Sequence, residues 1–218
     1  MYSEIAHFLQ KEVTIEWRQK FSFNGVLLYL VSTVFVCYLS FARVIDVQTW
    51  NSLFWIIMLF AAINAVLKSF LQEREGRLLY YYTLLRPQSI INAKILYNAL
   101  LMSILSLAGL LVFISFLGNP IHNLPLFLVN MLLGVIGFSS VLSMVSAIAS
   151  KAQNNFTLMA VLSFPLVLPL LLVLIKVSAA AIAGSGFSEQ YPNLLVITLL
   201  AAITIVLSNI LFPYIWKG

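Results

Sequence analysis

Leu126-Phe-Leu-Val-Asn-Met-Leu-Leu-Gly-Val-Ile-Gly-Phe-Ser-Ser-Val-Leu-Ser-Met-Val-Ser-Ala-Ile-Ala149 contains no charged side chain from end to end. About 20 helical residues cross the hydrocarbon core of a bilayer, so a run of this length predicts a membrane-spanning helix. The apolar character is continuous, without the period-two alternation that a barrel wall requires. Five further runs share the pattern: Asn24–Ala42, Trp50–Leu67, Ile95–Leu117, Phe156–Ile175 and Leu194–Trp216. The expectation is an all-α integral membrane protein, with six spans in a single transmembrane domain over residues 1–218. Composition supports it: 62% of the chain is apolar and 9% charged, against about 25% charge in soluble domains. A soluble core of this size leaves too much of its surface outside to hide so many apolar side chains.

The side on which each connection lies follows from Lys and Arg. Lys11, Arg18, Lys20, Lys68, Arg74, Arg77, Arg86, Lys94, Lys151 and Lys217 fall on one side of the six-span layout, and only Arg43 and Lys176 on the other. Ten against two predicts that both termini and the 68–94 connection are cytoplasmic. The net charge of +5 then reflects topology and lipid contact, and no nucleic-acid partner is expected. The first span is expected to remain uncleaved, because its apolar run is long and the leader before it holds Glu4, Glu12 and Glu16. The lone Cys37 rules out an intrachain disulfide.

Residues 1–23 carry an interfacial element. Ile5, Leu9, Val13 and Trp17 recur at helical spacing opposite Glu4, His7, Lys11, Thr14 and Arg18, which predicts an amphipathic helix on the cytoplasmic surface over residues 2–18. It reads as an anchor, with contact to a cytoplasmic partner as the alternative.

The 68–94 connection is the longest between the predicted spans and holds five of the twelve basic residues. Glu73 and Glu75 neutralise neighbouring cations, and Gly76 permits the positive φ that separates two helical turns. Arg77 follows. Leu78, Leu79, Tyr82 and Leu85 mark an amphipathic helix that Pro87 ends, and Lys94 leads into the next span. One reading is a positive connector with a surface-lying helix; the other is a docking element that receives force from a cytoplasmic ATPase.

Two further groups stand out inside spans. Pro165 and Pro169 lie four apart in Phe164-Pro-Leu-Val-Leu-Pro169, where each removes a backbone donor and predicts a kink or hinge. Ser139, Ser143 and Ala147, with Gly134 before them, predict a helix-packing face, because small side chains let backbones approach closely. Ser103, Ser106 and Asn130 are polar positions in the spans that leave a lined path open.

The 73–94 segment resembles the cytoplasmic loop of ABC-2-type permeases, with Glu-x-Glu-Gly, a following helix, then Pro and Lys. Within that group, the paired-proline span is similar to that of the CcmB family, the heme-exporter B subunit of cytochrome c maturation. Arg77 stands where such permeases usually carry a small polar residue. The resemblance implies an ABC-2-type permease-like fold in the bacterial inner membrane. It also implies a separate CcmA-like ATPase, CcmC-like and CcmD-like membrane partners, a homodimer as one arrangement, and heme as substrate of the complex. A re-entrant piece within Val177–Phe187 is also implied.

Several chemistries lack their residues. There is no Gly-x-x-x-x-Gly-Lys-Ser/Thr loop for ATP and no acidic residue central to a span for ion coupling. His7 and His122 fall on opposite sides of the predicted membrane, so no metal pair is expected, and one cysteine excludes Cys-x-x-Cys-His. No buried His or Asp is available to activate a serine. The expectation is a non-catalytic subunit without a resident cofactor. It is either a permease driven by a partner ATPase or a scaffold that relays motion without moving a substrate.

Overall fold

The computed structural model describes residues 9–11, 13–14, 21–41, 45–71, 87–149 and 155–217. Among them are six long helices: α1 Phe21–Ser40, α2 Val47–Leu71, α3 Pro87–Leu117, α4 Leu124–Ala149, α5 Asn155–Ala183 and α6 Phe187–Lys217. Each is long and apolar enough to cross a membrane. Helices follow because a chain in lipid must satisfy its backbone internally. Of the N-terminal amphipathic helix, residues 9–11, 13 and 14 are described and helical, with Leu9 packed on the core. Residues 72–86 lie outside the described residues, and with them Glu73, Glu75, Gly76, Arg77, Leu78, Tyr82 and Leu85.

The helices outrun the uncharged runs. Pro87 occupies the first position of α3, where its missing N–H costs nothing, so the helix starts well before Ile95. Likewise α5 does not turn back after Ile175. Residues 177–183 continue it as helix, contrary to the re-entrant expectation, because Val177-Ser-Ala-Ala-Ala-Ile-Ala is rich in the best helix former. Charge marks where lipid ends, and it does not stop a helix.

Caps fix the ends. Asp46 precedes α2 and accepts the Thr49 amide at 2.9 Å and the Thr49 hydroxyl at 2.6 Å. Asn123 does the same for α4, taking the Leu126 amide at 3.2 Å. Gly184, at φ 89°, closes α5: its N–H reaches the Ala181 carbonyl and the Ser185 N–H the Ala180 carbonyl. That is the pairing in which a left-handed residue satisfies the last carbonyls of a helix.

α4 is the central helix and packs against α2, α3, α5 and α6, whereas α1 packs on α2 and α3. The core where α2, α3 and α4 meet is aromatic. Trp50 stacks on Phe54 with centroids 5.8 Å apart, and Phe113 meets both rings edge-on at 5.3 and 5.4 Å. Lipid is as apolar as these side chains, so close fit holds the helices together, not escape from water. Glycines make the fit. A Cβ on Gly137 would stand 2.5 Å from Leu170 Cδ2 of α5, and one on Gly109 would stand 2.6 Å from Met58 Cε of α2.

The polar side chains have two addresses. At the end of the bundle that holds the 41–46, 118–123 and 184–186 connections, the Trp55 indole donates to Ser178 Oγ at 2.7 Å. Ser178 donates to Asn51 Oδ1, and Asn51 Nδ2 donates to the Ile175 carbonyl at 2.9 Å. The second group lies toward the opposite end.

Candidate functional site: the polar seam of α3, α4 and α6

α3 leaves the 72–86 segment and carries Asn92, Lys94 and Asn98 in its first turns. Asn92 and Asn209 of α6 exchange amide hydrogen bonds in both directions, at 2.8 and 2.9 Å. Asn98, fully buried, donates to Ser143 of α4 at 2.9 Å. The hydroxyls of Ser140 in α4 and Thr204 in α6 meet at 2.7 Å. Each pair among the three helices is thus linked by side chains. A hydrogen bond across helices in lipid is worth about 0.6–2 kcal/mol, so the three links fix register without welding the helices together.

The seam is not saturated. Asn98 Oδ1 and Ser139 Oγ are buried without a hydrogen-bond partner among the described residues. Such an atom costs about 1–3 kcal/mol, so the arrangement keeps polar capacity unused at the contact of α3 with α4. Lys94, which the sequence places at the end of the connector, is in the helix and 1% exposed. Ile90, Ile91 and Ile95 of α3, Ala147 of α4 and Phe212 of α6 form a small apolar cluster around this level of the bundle. Pro87 opens the same helix, half-buried.

The structure divides the packing stripe expected on α4. Ser143 and Ala147 turn toward α3 and α6. Gly134 turns the other way, with Leu174 of α5 and Trp55 of α2 each 3.0 Å from where its Cβ would stand. The step from 134 to 139 is well over one helical turn and well short of two, so the two positions never shared a face. Pro165 and Pro169 lie within α5 and both are exposed, on its outer side. Ser103 and Ser106 bond backward to carbonyls of their own helix, and Asn130 Nδ2 crosses to the Leu174 carbonyl at 3.0 Å.

Sequence reasoning passed over Asn92, Asn98 and Asn209. The available signal was an amide inside an otherwise apolar helix, which is expensive in lipid and marks a contact. Chemically the seam consists of amides and hydroxyls, with the buried Lys94 side chain beside them. Among the described residues no three His, Cys, Asp or Glu gather to hold a metal. His122, at the other end, sits with Nδ1 on the Ile182 carbonyl.

Six helices long and apolar enough to cross a membrane, three of them joined by a hydrogen-bonded seam, make this a multi-pass membrane protein. A family model described as CcmB protein matches residues 3–215, and the chain belongs to the CcmB family. No curated protein matches the chain. Membership makes it an ABC-2-like membrane component of the heme exporter of cytochrome c maturation. It belongs to a complex that has membrane and ATPase partners.

Proposed function

We propose that this chain is the permease subunit that takes up the stroke of a separate cytoplasmic ATPase through residues 68–94 and passes it along α3 into the bundle. The observation that carries this is the continuity of α3. It starts at Pro87, within the connector, runs unbroken to Leu117, and its first turns are tied to α4 and α6 at Asn98 and Asn92. A displacement of the connector moves one stiff rod, and the rod pulls on two neighbours. Glu73, Glu75, Gly76, Arg77, Leu78, Tyr82, Leu85, Pro87 and Lys94 are the docking and transmission residues in this reading. The ATPase is CcmA-like, and CcmC-like and CcmD-like subunits are the membrane neighbours.

The experiment compares two variants in the assembled complex. Glu75→Lys with Gly76→Pro should leave the protein inserted yet abolish co-purification with the ATPase, because removing an interfacial charge whose partner stays buried costs about 2–5 kcal/mol. Asn92→Leu with Asn209→Leu should keep the ATPase bound while lowering the yield of matured cytochrome c. Normal assembly and maturation in both variants would sink the proposal.

A second reading, a coupling subunit through which nothing passes, is favoured by the filled interior. Trp50, Phe54, Phe113 and Phe127 occupy the meeting point of α2, α3 and α4. It stands if the loop variant loses the ATPase while heme still reaches the far side.

A further inference from the structure

A groove of about 460 Å³ opens between α2 and α5, lined by Gln48, Asn51 and Ser52 on one side and by Leu172, Ile175 and Lys176 on the other. It lies at the end of the bundle opposite the seam. Two of its four polar side chains are already engaged. Asn51 is turned inward to Ile175 and Ser178, and the Ser52 hydroxyl donates to the Gln48 carbonyl at 2.9 Å. Two groups remain for an occupant. The Lys176 ammonium has one hydrogen bond among the described residues, a long one of 3.4 Å to the neutral Asn193 amide oxygen. The exposed Gln48 side-chain amide has none there. Lys176 is the one charged residue in the lining, and the nearby Asp46 carboxylate is occupied by Thr49 as the cap of α2.

From that mouth two apolar tracks run toward the middle of the bundle. On α2, Gln48 and Ser52 are followed at four-residue steps by exposed Ile56 and Phe60. On α5, Lys176 is followed backward at the same step by exposed Leu172, Leu168 and Phe164. Residues four apart stack one above the other with a drift of about 40° a step, so each track winds about 120° around its helix over three steps. Twelve residues of α5 at 1.5 Å each make a track of about 18 Å, slightly more than half of a hydrocarbon core of about 30 Å.

A cationic and amide-bearing head above two apolar tracks one leaflet deep has the shape of an amphiphile. We propose that this groove binds one anionic glycerophospholipid, its phosphate on Lys176 and Gln48 and its acyl chains along the exposed faces of α2 and α5. A free phosphate would use only the mouth; the tracks specify the lipid.

The test is native mass spectrometry of the full chain, delipidated in a neutral detergent and titrated with phosphatidylglycerol or phosphatidylcholine. One phosphatidylglycerol should bind in preference to phosphatidylcholine, and excess inorganic phosphate should not displace it. Lys176→Gln should weaken that binding about five-fold, in line with one cation near a charged headgroup, and Lys176→Arg should restore it. Ala179→Trp fills the groove while keeping the cation, and should lower binding as well, which serves if Lys176→Gln does not accumulate. Equal affinity for the two lipids, displacement by phosphate, or unchanged binding in Lys176→Gln or Ala179→Trp would overturn the assignment.

Discussion

Asp46 shows how a single side chain fixes an end of a span. It is exposed, yet both its carboxylate oxygens are taken by Thr49, and this bonding to hydroxyl and amide holds its pKa below the ordinary aspartate range. A carboxyl with a depressed folded pKa adds stability above its unfolded pKa and loses it as pH falls through the folded value. The cap of α2 should therefore weaken only in acid, below about pH 4. Asp46→Asn keeps a capping acceptor that does not titrate. Thermal unfolding in detergent across pH 3–7 should show the wild type losing its advantage over Asp46→Asn toward the acid end. Parallel curves would mean that the cap does not titrate with folding. The interior amides act differently: Asn51 and Asn130 donate to the carbonyls of Ile175 and Leu174, which are within α5. Neither amide needs the partner helix to break its own ladder, so polar contact is added to packing at no cost in backbone bonds.

Among the helices, α4 decides the packing, and it does so through its small residues on opposite faces. Gly137 has no room for a methyl group against Leu170, itself 2% exposed. Gly137→Ala gains helix propensity of about 1 kcal/mol but overpacks the α4–α5 contact, at about 1–3 kcal/mol. The variant should unfold at lower temperature than wild type, and Leu170→Val added to it should recover most of the loss. If the double variant is no better than Gly137→Ala, the clash is not where the geometry puts it. The six helices were legible because uncharged runs long enough to cross a bilayer admit little else. Their true ends were not, since Lys94 and Lys176 interrupt hydropathy while the backbone continues as helix through both. The seam was legible in part. Ser139, Ser143 and Ala147 were visible as a stripe of small residues. Asn98 was visible as an amide in an apolar helix, but no local pattern names its partner Ser143, 45 positions away. Gly134 was grouped with the stripe for its small size, and helix angle separates them.

At the scale of the molecule, two sets of contacts decide which ends lie together. Asn123 Nδ2 donates to the Ser185 carbonyl at 2.8 Å, joining the 118–123 and 184–186 connections. The Asn92–Asn209 pair joins the start of α3 to the last turns of α6. The start of α3 and the last turns of α6 therefore share one end of the bundle, whichever way it faces. Orientation is then a matter of charge: the sequence layout assigns ten basic residues to one side and Arg43 and Lys176 to the other, and the expectation that the basic side is cytoplasmic is open to a direct test. Only with this orientation does a cytoplasmic ATPase reach the connector, so topology and coupling stand or fall together. With Cys37→Ser as background, Gln72→Cys should be shielded from a membrane-impermeant thiol reagent in intact cells and labelled after permeabilisation. Ser188→Cys, at an exposed position in the first turn of α6, should label in intact cells. Asn123 is the less suitable site for a probe, because it caps α4. If Gln72→Cys labels from outside and Ser188→Cys does not, the bundle is inverted, and the stroke would have to enter through the 118–123 and 184–186 connections instead of α3.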